Sequence, residues 1–122
     1  MDRAANGKLS YLKGQAAEGQ VARAYERNGF EIVDRRWKSK DGEIDLVARH
    51  KEKLYFIEVK ASTTFDTAVQ QITPRQQNRI HNCALQYLAE KAGHLDVDCR
   101  FDAALVDGKG RIKVLPGVLL AA

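Results

Sequence analysis

Apolar residues in this chain switch between two spacings, and each switch marks an element. Ala17, Val21, Ala24 and Tyr25 recur at helical spacing, and Asn28-Gly29 supplies a stop signal, so a helix is expected from about Gln15 to Asn28. Three short segments of strand composition follow, Phe30 to Trp37, Glu43 to Arg49 and Leu54 to Lys60. The polar stretches Lys38-Ser39-Lys40-Asp41-Gly42 and His50-Lys51-Glu52-Lys53 separate them, which reads as an antiparallel meander. Helical spacing returns at Thr73-Pro74-Arg75-Gln76, with an N-cap threonine, proline at the first helical position and glutamine three residues after the cap, the pattern of a capping box. Ile80, Cys83, Ala84, Tyr87 and Leu88 give this second helix one apolar face until Gly93 ends it. Val97 to Val106 reads as a fourth strand, Asp107 to Gly110 as a turn, and Arg111 to Leu115 as a fifth strand. The order αβββαββ implies an α/β fold with a mixed sheet flanked by helices, because the second helix can carry the chain across to a strand parallel to the third.

Length and composition narrow this further. A chain of 122 residues, 44% hydrophobic and 30% charged, fits one globular domain and excludes collagen-like, coiled-coil and disordered classes. The expected organisation is a flexible arm over residues 1–13, a domain over 14–116 and an apolar tail over 117–122. No run approaches the ~20 apolar residues of a membrane span, and the first residues lack a secretory pattern, so a cytoplasmic protein without a membrane partner is expected. Cys83 and Cys99 form no disulfide framework. With His81 and His94 they fit no common zinc spacing, so packed thiols and surface imidazoles are expected instead.

Strand parity carries the chemistry. If the second and third strands fold about the loop at residues 50–53, Arg49 faces Leu54, Val47 faces Phe56, Asp45 faces Glu58 and Glu43 faces Lys60. Two directly opposed carboxylates repel. Either that face is solvated, with a Glu43–Lys60 ion pair, or a hard divalent cation, Mg²⁺ or Mn²⁺, sits between Asp45 and Glu58. In the second case Lys60 would orient water and stabilise charge on a phosphate. Glu18, at the edge of the first helix's apolar stripe, is either an exposed glutamate near the helix start or a third carboxylate turned to the metal.

The run Gly42-Glu43-Ile44-Asp45-Leu46-Val47 followed by Phe56-Ile57-Glu58-Val59-Lys60 resembles the D…E-x-K signature of restriction-endonuclease-like nucleases. With Glu18 in Gly14-x-x-x-Glu18-Gly19-x-x-Ala22, Ala68-Val69 before the second helix, and Arg100-Phe101-Asp102, the chain more closely resembles the uncharacterised YraN family. That family is itself similar to archaeal Holliday junction resolvases. The resemblance spans about Gly14 to Leu115. It implies a restriction-endonuclease-like sheet with Glu18, Asp45, Glu58 and Lys60 as nuclease residues, the three carboxylates as metal ligands, and structured or branched DNA as substrate. The chain departs from the family in having Ala61-Ser62-Thr63 where a basic residue usually follows the lysine, and Arg75 where a lysine is expected.

The net charge of +4 favours a polyanionic partner only weakly. Arg35, Arg36 and Lys38 around Trp37, with Arg75 and Arg79 on the polar face of the second helix, are the candidate phosphate contacts, set against an ordinary solvated charged surface. Three functions therefore stand: a metal-dependent endonuclease-like protein, a non-catalytic nucleic-acid-binding module, and an interaction domain that docks through its apolar tail. A homodimer is compatible with each.

Overall fold

The computed structural model describes residues 3–93 and 97–118, with side chains from residue 13 onward apart from residue 92. Helix α1 spans Arg3–Arg27, strands β1, β2 and β3 span Glu31–Ser39, Gly42–His50 and Lys53–Ala61, and a short helix α2 covers Phe65–Val69. Helix α3 is Pro74–Tyr87, continued by a π-helical turn over Leu88–Ala92, and strands β4 (Cys99–Val106) and β5 (Ile112–Leu115) complete the order. The helix expected from about Gln15 begins at Arg3. The polar composition of that first half and its Gly7 and Gly14 made it read as an arm. The helix ends as its sequence indicates, with Gly29 at φ +90° and the Asn28 and Gly29 N–H groups donating to the Tyr25 and Glu26 carbonyls at 3.0 Å.

The five strands lie in the order β1-β2-β3-β4-β5. Pairing is antiparallel except between β3 and β4, where Leu54 to Ala61 run parallel to Cys99 to Val106. The mixed sheet and its helical crossover thus hold. Arg49 does pair with Leu54 and Val47 with Phe56, but His50 also pairs with Lys53, so the loop is Lys51-Glu52 alone.

Helix α1 covers one face of the sheet and α3 the other. Ala17, Val21, Ala22 and Tyr25 pack with Leu46, Ala48, Tyr55, Ile57, Ala104 and Val106. On the other face Cys83, Ala84, Tyr87 and Leu88 pack with Ile44, Val47 and Phe56, realising the stripe read from α3. At about 25 cal/mol per Å² of apolar area, these two layers supply the main favourable energy of the fold. Thr73 caps α3 by accepting from the Gln76 N–H at 3.2 Å with Pro74 in the first turn. Polar bonds tie α3 to the β1–β2 hairpin: Tyr87 donates to Asp34 at 2.7 Å and Gln86 to Asp41 at 2.6 Å.

The short helix α2 falls where the sequence suggested only loop. Its Thr64 cap and reciprocal Thr67 contact form a capping box in which threonine replaces the usual glutamate or glutamine.

Candidate active site

One irregularity in β2 organises the site. The β1–β2 register passes from Arg35–Leu46 to Trp37–Ile44 without an Arg36–Asp45 pair, and the β2–β3 ladder begins only at Leu46–Ile57. Arg36 has φ +50°, in the left-handed region. Ile44 and Val47 pack on the same face although strict alternation would oppose them, so the strand changes face at the residues between. Asp45 therefore lies where the ladder lapses on both sides. The Val59 N–H donates to its Oδ2 at 2.8 Å, replacing a backbone acceptor with a carboxylate.

Glu58 and Lys60 follow on β3. Lys60 Nζ lies 3.1 Å from Glu58 Oε1, with the two side chains only 16% and 11% exposed. With its amide oxygen turned to Lys60, Gln76 accepts from Nζ at 2.9 Å and donates to the Gln71 carbonyl at 2.7 Å. The glutamine read as half of a capping box thus leaves that role and fixes the lysine. Its position in α3 did not reveal this, because the contact depends on how the crossover docks against β3. The expected Glu43–Lys60 pair does not form: Glu43 is exposed, and Lys60 turns to the carboxylate two residues before it on its own strand.

Burial, and then the nearby Glu58 charge, push the Asp45 carboxyl up to about 8 against the opposing Val59 N–H. Burial also raises Glu58, opposed by the charge and hydrogen bond of Lys60. Glu18 comes from α1 and adds its negative field to both groups. Its Oε2 is held by Arg36 Nε at 2.8 Å, so two residues expected to serve metal and DNA separately are paired with each other. Of the other expected phosphate contacts, Arg35 and Lys38 are exposed on β1, and Arg75 and Arg79 are exposed on α3.

These donors suit a hard divalent cation such as Mg²⁺ or Mn²⁺. Asp45 and Glu58 offer two close carboxylates short of positive partners, and water commonly completes such a shell. Glu18 fits less directly while Arg36 holds it, and no group of three or more His, Cys, Asp or Glu side chains is arranged to hold a metal among the described residues. For the zinc set considered from sequence, Cys83 is buried, Cys99 is half-buried, and His94 lies outside the described residues. The tail beyond Val118 also lies outside them.

The fold and site together define a mixed α/β domain with a carboxylate–lysine cluster where β2 leaves its neighbours. Residues 17–106 match the model of the uncharacterised protein family UPF0102, and the chain belongs to that family, the one its YraN resemblance indicated. A UPF0102 protein of Ruegeria pomeroyi is 44% identical over 112 residues, covering 92% of this chain and 91% of the relative. One from Cereibacter sphaeroides is 44% identical over 117 residues, covering 95% and 99%, and one from Rhodopseudomonas palustris is 40% identical over 113 residues, covering 93% and 84%. No helix among the described residues is long and apolar enough to cross a membrane.

Proposed function

We propose that this chain is a metal-dependent endonuclease-like protein with a restriction-endonuclease-like fold, acting on structured or branched DNA in the manner of a resolvase. The observation that carries this reading is the meeting of Asp45, Glu58 and Lys60 in a largely buried position, where burial raises the cost of ionising both carboxyl groups and the Glu58 charge adds to that of Asp45. A purely structural strand has no use for that cost.

Asp45 and Glu58 would hold Mg²⁺ or Mn²⁺, which would supply Lewis-acid charge for phosphodiester hydrolysis. Val59 fixes one Asp45 oxygen, so that carboxylate is oriented before any ligand arrives. Gln76 holds the Lys60 ammonium beside Glu58, where it can neutralise charge on a phosphate and order a water for attack. Glu18 supplies a further negative charge once Arg36 turns to a phosphate. Exposed Arg35, Lys38, Arg75 and Arg79 would grip the backbone without reading sequence.

A second reading, a DNA-binding module that does not cleave, is favoured by the Glu18–Arg36 pair, which withholds the third carboxylate. Four-way junction, duplex and single-stranded DNA incubated with and without Mg²⁺ separate the two. Cleavage that needs both the metal and Asp45 supports the nuclease. Binding without cleavage by any divalent cation supports the module.

A further inference from the structure

The basic residues expected from sequence lie on β1 and α3, yet Lys60 also opens onto a groove bounded by α1. This cavity, of about 800 Å³, runs from Lys60 between α1 and the end of β3 to the β4–β5 turn. Its polar wall carries Lys13, Gln20, Lys60 and Gln71, and its small residues include Gly14, Ala17, Ala61 and Gly108. Among the described residues that line it, none is aromatic.

Three properties restrict the occupant. The volume is that of a small-molecule site, so it admits a short stretch of one strand and excludes a duplex. Ammonium and amide donors match phosphate oxygens, whereas single-strand binders that grip bases do so with aromatic platforms. Among the described lining residues the one acidic side chain, Asp107, is occupied: it accepts from the Lys109 and Arg111 N–H groups at 3.0 and 2.8 Å and from Arg111 Nε at 2.6 Å. Arg111 thus neutralises Asp107 within the turn, which adds no unmatched negative charge to the groove.

We infer that this groove is a track for the sugar-phosphate backbone of one unpaired DNA strand, leading from the β4–β5 turn past Lys13 and Gln20 to Lys60. The inference rests on the nucleic-acid reading above and makes it specific. The preferred DNA has an unpaired arm next to its duplex, and sequence in that arm is not read.

Gly14 allows a direct test, because a Cβ added there meets nothing within 4 Å among the described residues. Gly14→Leu introduces a better helix former and adds bulk at a residue that lines the track. Binding of labelled oligonucleotides is measured by fluorescence anisotropy in EDTA, so cleavage plays no part, and melting temperature is measured alongside. Gly14→Leu should melt no lower than wild type and bind a single strand, or a duplex with a single-stranded arm, at least tenfold more weakly. Blunt-duplex affinity should stay within twofold. Lys13→Glu combined with Gln20→Glu should reproduce this selectivity by charge. Unchanged single-strand affinity in both variants, or equal loss for single strand and duplex, overturns the track. The catalytic reading fails separately: if wild type cleaves none of these DNAs with Mg²⁺ while the selective binding loss is seen, the nuclease falls and the track stands.

Discussion

Replacing Asp45 with asparagine removes a titratable group while keeping an acceptor for the Val59 N–H, so the fold should survive and the electrostatics of the site should change alone. In the metal-free protein the folded Asp45 carboxyl titrates near 8 and the ordinary value is 3.8, because burial and then Glu58 disfavour its ionised form. Between those values the folded chain keeps a proton that the unfolded chain has released. Stability is therefore fully present below about pH 4 and declines as pH rises through 8, with a limiting slope of about 1.4 kcal/mol per pH unit. From pH 5 to pH 8 the loss reaches at most about 4 kcal/mol. Asp45→Asn has no such proton, and Glu58 alone leaves a shallower slope.

Urea unfolding in EDTA across about pH 3.5 to 9 should therefore show the variant matching wild type below about pH 4 and exceeding it by a margin that grows up to about pH 8. Adding Mg²⁺ should reverse the order. A cation binding the ionised pair at a hundred times its Kd stabilises wild type by about 2.7 kcal/mol, and Asp45→Asn by almost nothing. Parallel pH profiles for the two proteins, or equal Mg²⁺ stabilisation, would refute the argument from repulsion and the metal site together.

Lys60→Met should keep Mg²⁺-dependent stabilisation in thermal melts while losing cleavage, since lysine acts on water and phosphate and is no magnesium ligand; loss of the stabilisation would instead make Lys60 part of the fold of the site. Arg79→Ala should flatten the salt dependence of duplex binding by about 0.9 in log–log slope if it makes one phosphate contact. Arg36→Ala releases Glu18, so it should weaken DNA binding at low salt and strengthen Mn²⁺ binding, read by anisotropy and calorimetry; unchanged values for both would show the pair to be inert. Asp102→Ala strands Tyr25 and Arg100 and should cost about 3 kcal/mol in urea unfolding, with no change in DNA affinity for the folded fraction.

The sheet was legible because period and punctuation agree. Alternation in β3 and in β2 from Leu46 onward, the Thr73-Pro74 start of α3 and its stripe from Ile80 to Leu88 each place a residue where the fold uses it. The Asp45–Glu58 proximity also followed from counting back along the hairpin, although the true ladder stops one pair short and the approach is made across the lapse. What could not be read depended on tertiary choices. Lys60 selects Glu58 and Gln76 over Glu43, and Arg36 reaches Glu18 because a left-handed residue interrupts β1. Neither follows from spacing, since each is decided by how a helix docks on a strand distant in sequence.

The Arg100-Phe101-Asp102 motif shows how the structure separates a carboxylate that holds the fold from those that suit chemistry. Asp102 is fully buried, more so than Glu58, and by burial alone would be the stronger candidate for a site. Its oxygens are supplied instead. Arg100 donates to both at 2.7 and 2.9 Å, Tyr25 donates to Oδ2 at 2.8 Å, and the Gly117 N–H donates to Oδ1 at 3.0 Å. This one side chain thereby ties α1 and the segment after β5 to the sheet, and with its charge-assisted bonds made it has little left to offer a ligand. Asp45 and Glu58 have the opposite balance, because, beyond the hydrogen bond they share, a single backbone N–H and one lysine serve two buried carboxyl groups, and the Glu58 charge opposes ionisation of Asp45. The unmet demand for positive charge, rather than burial or motif membership, marks the place where a cation and a phosphate would bind.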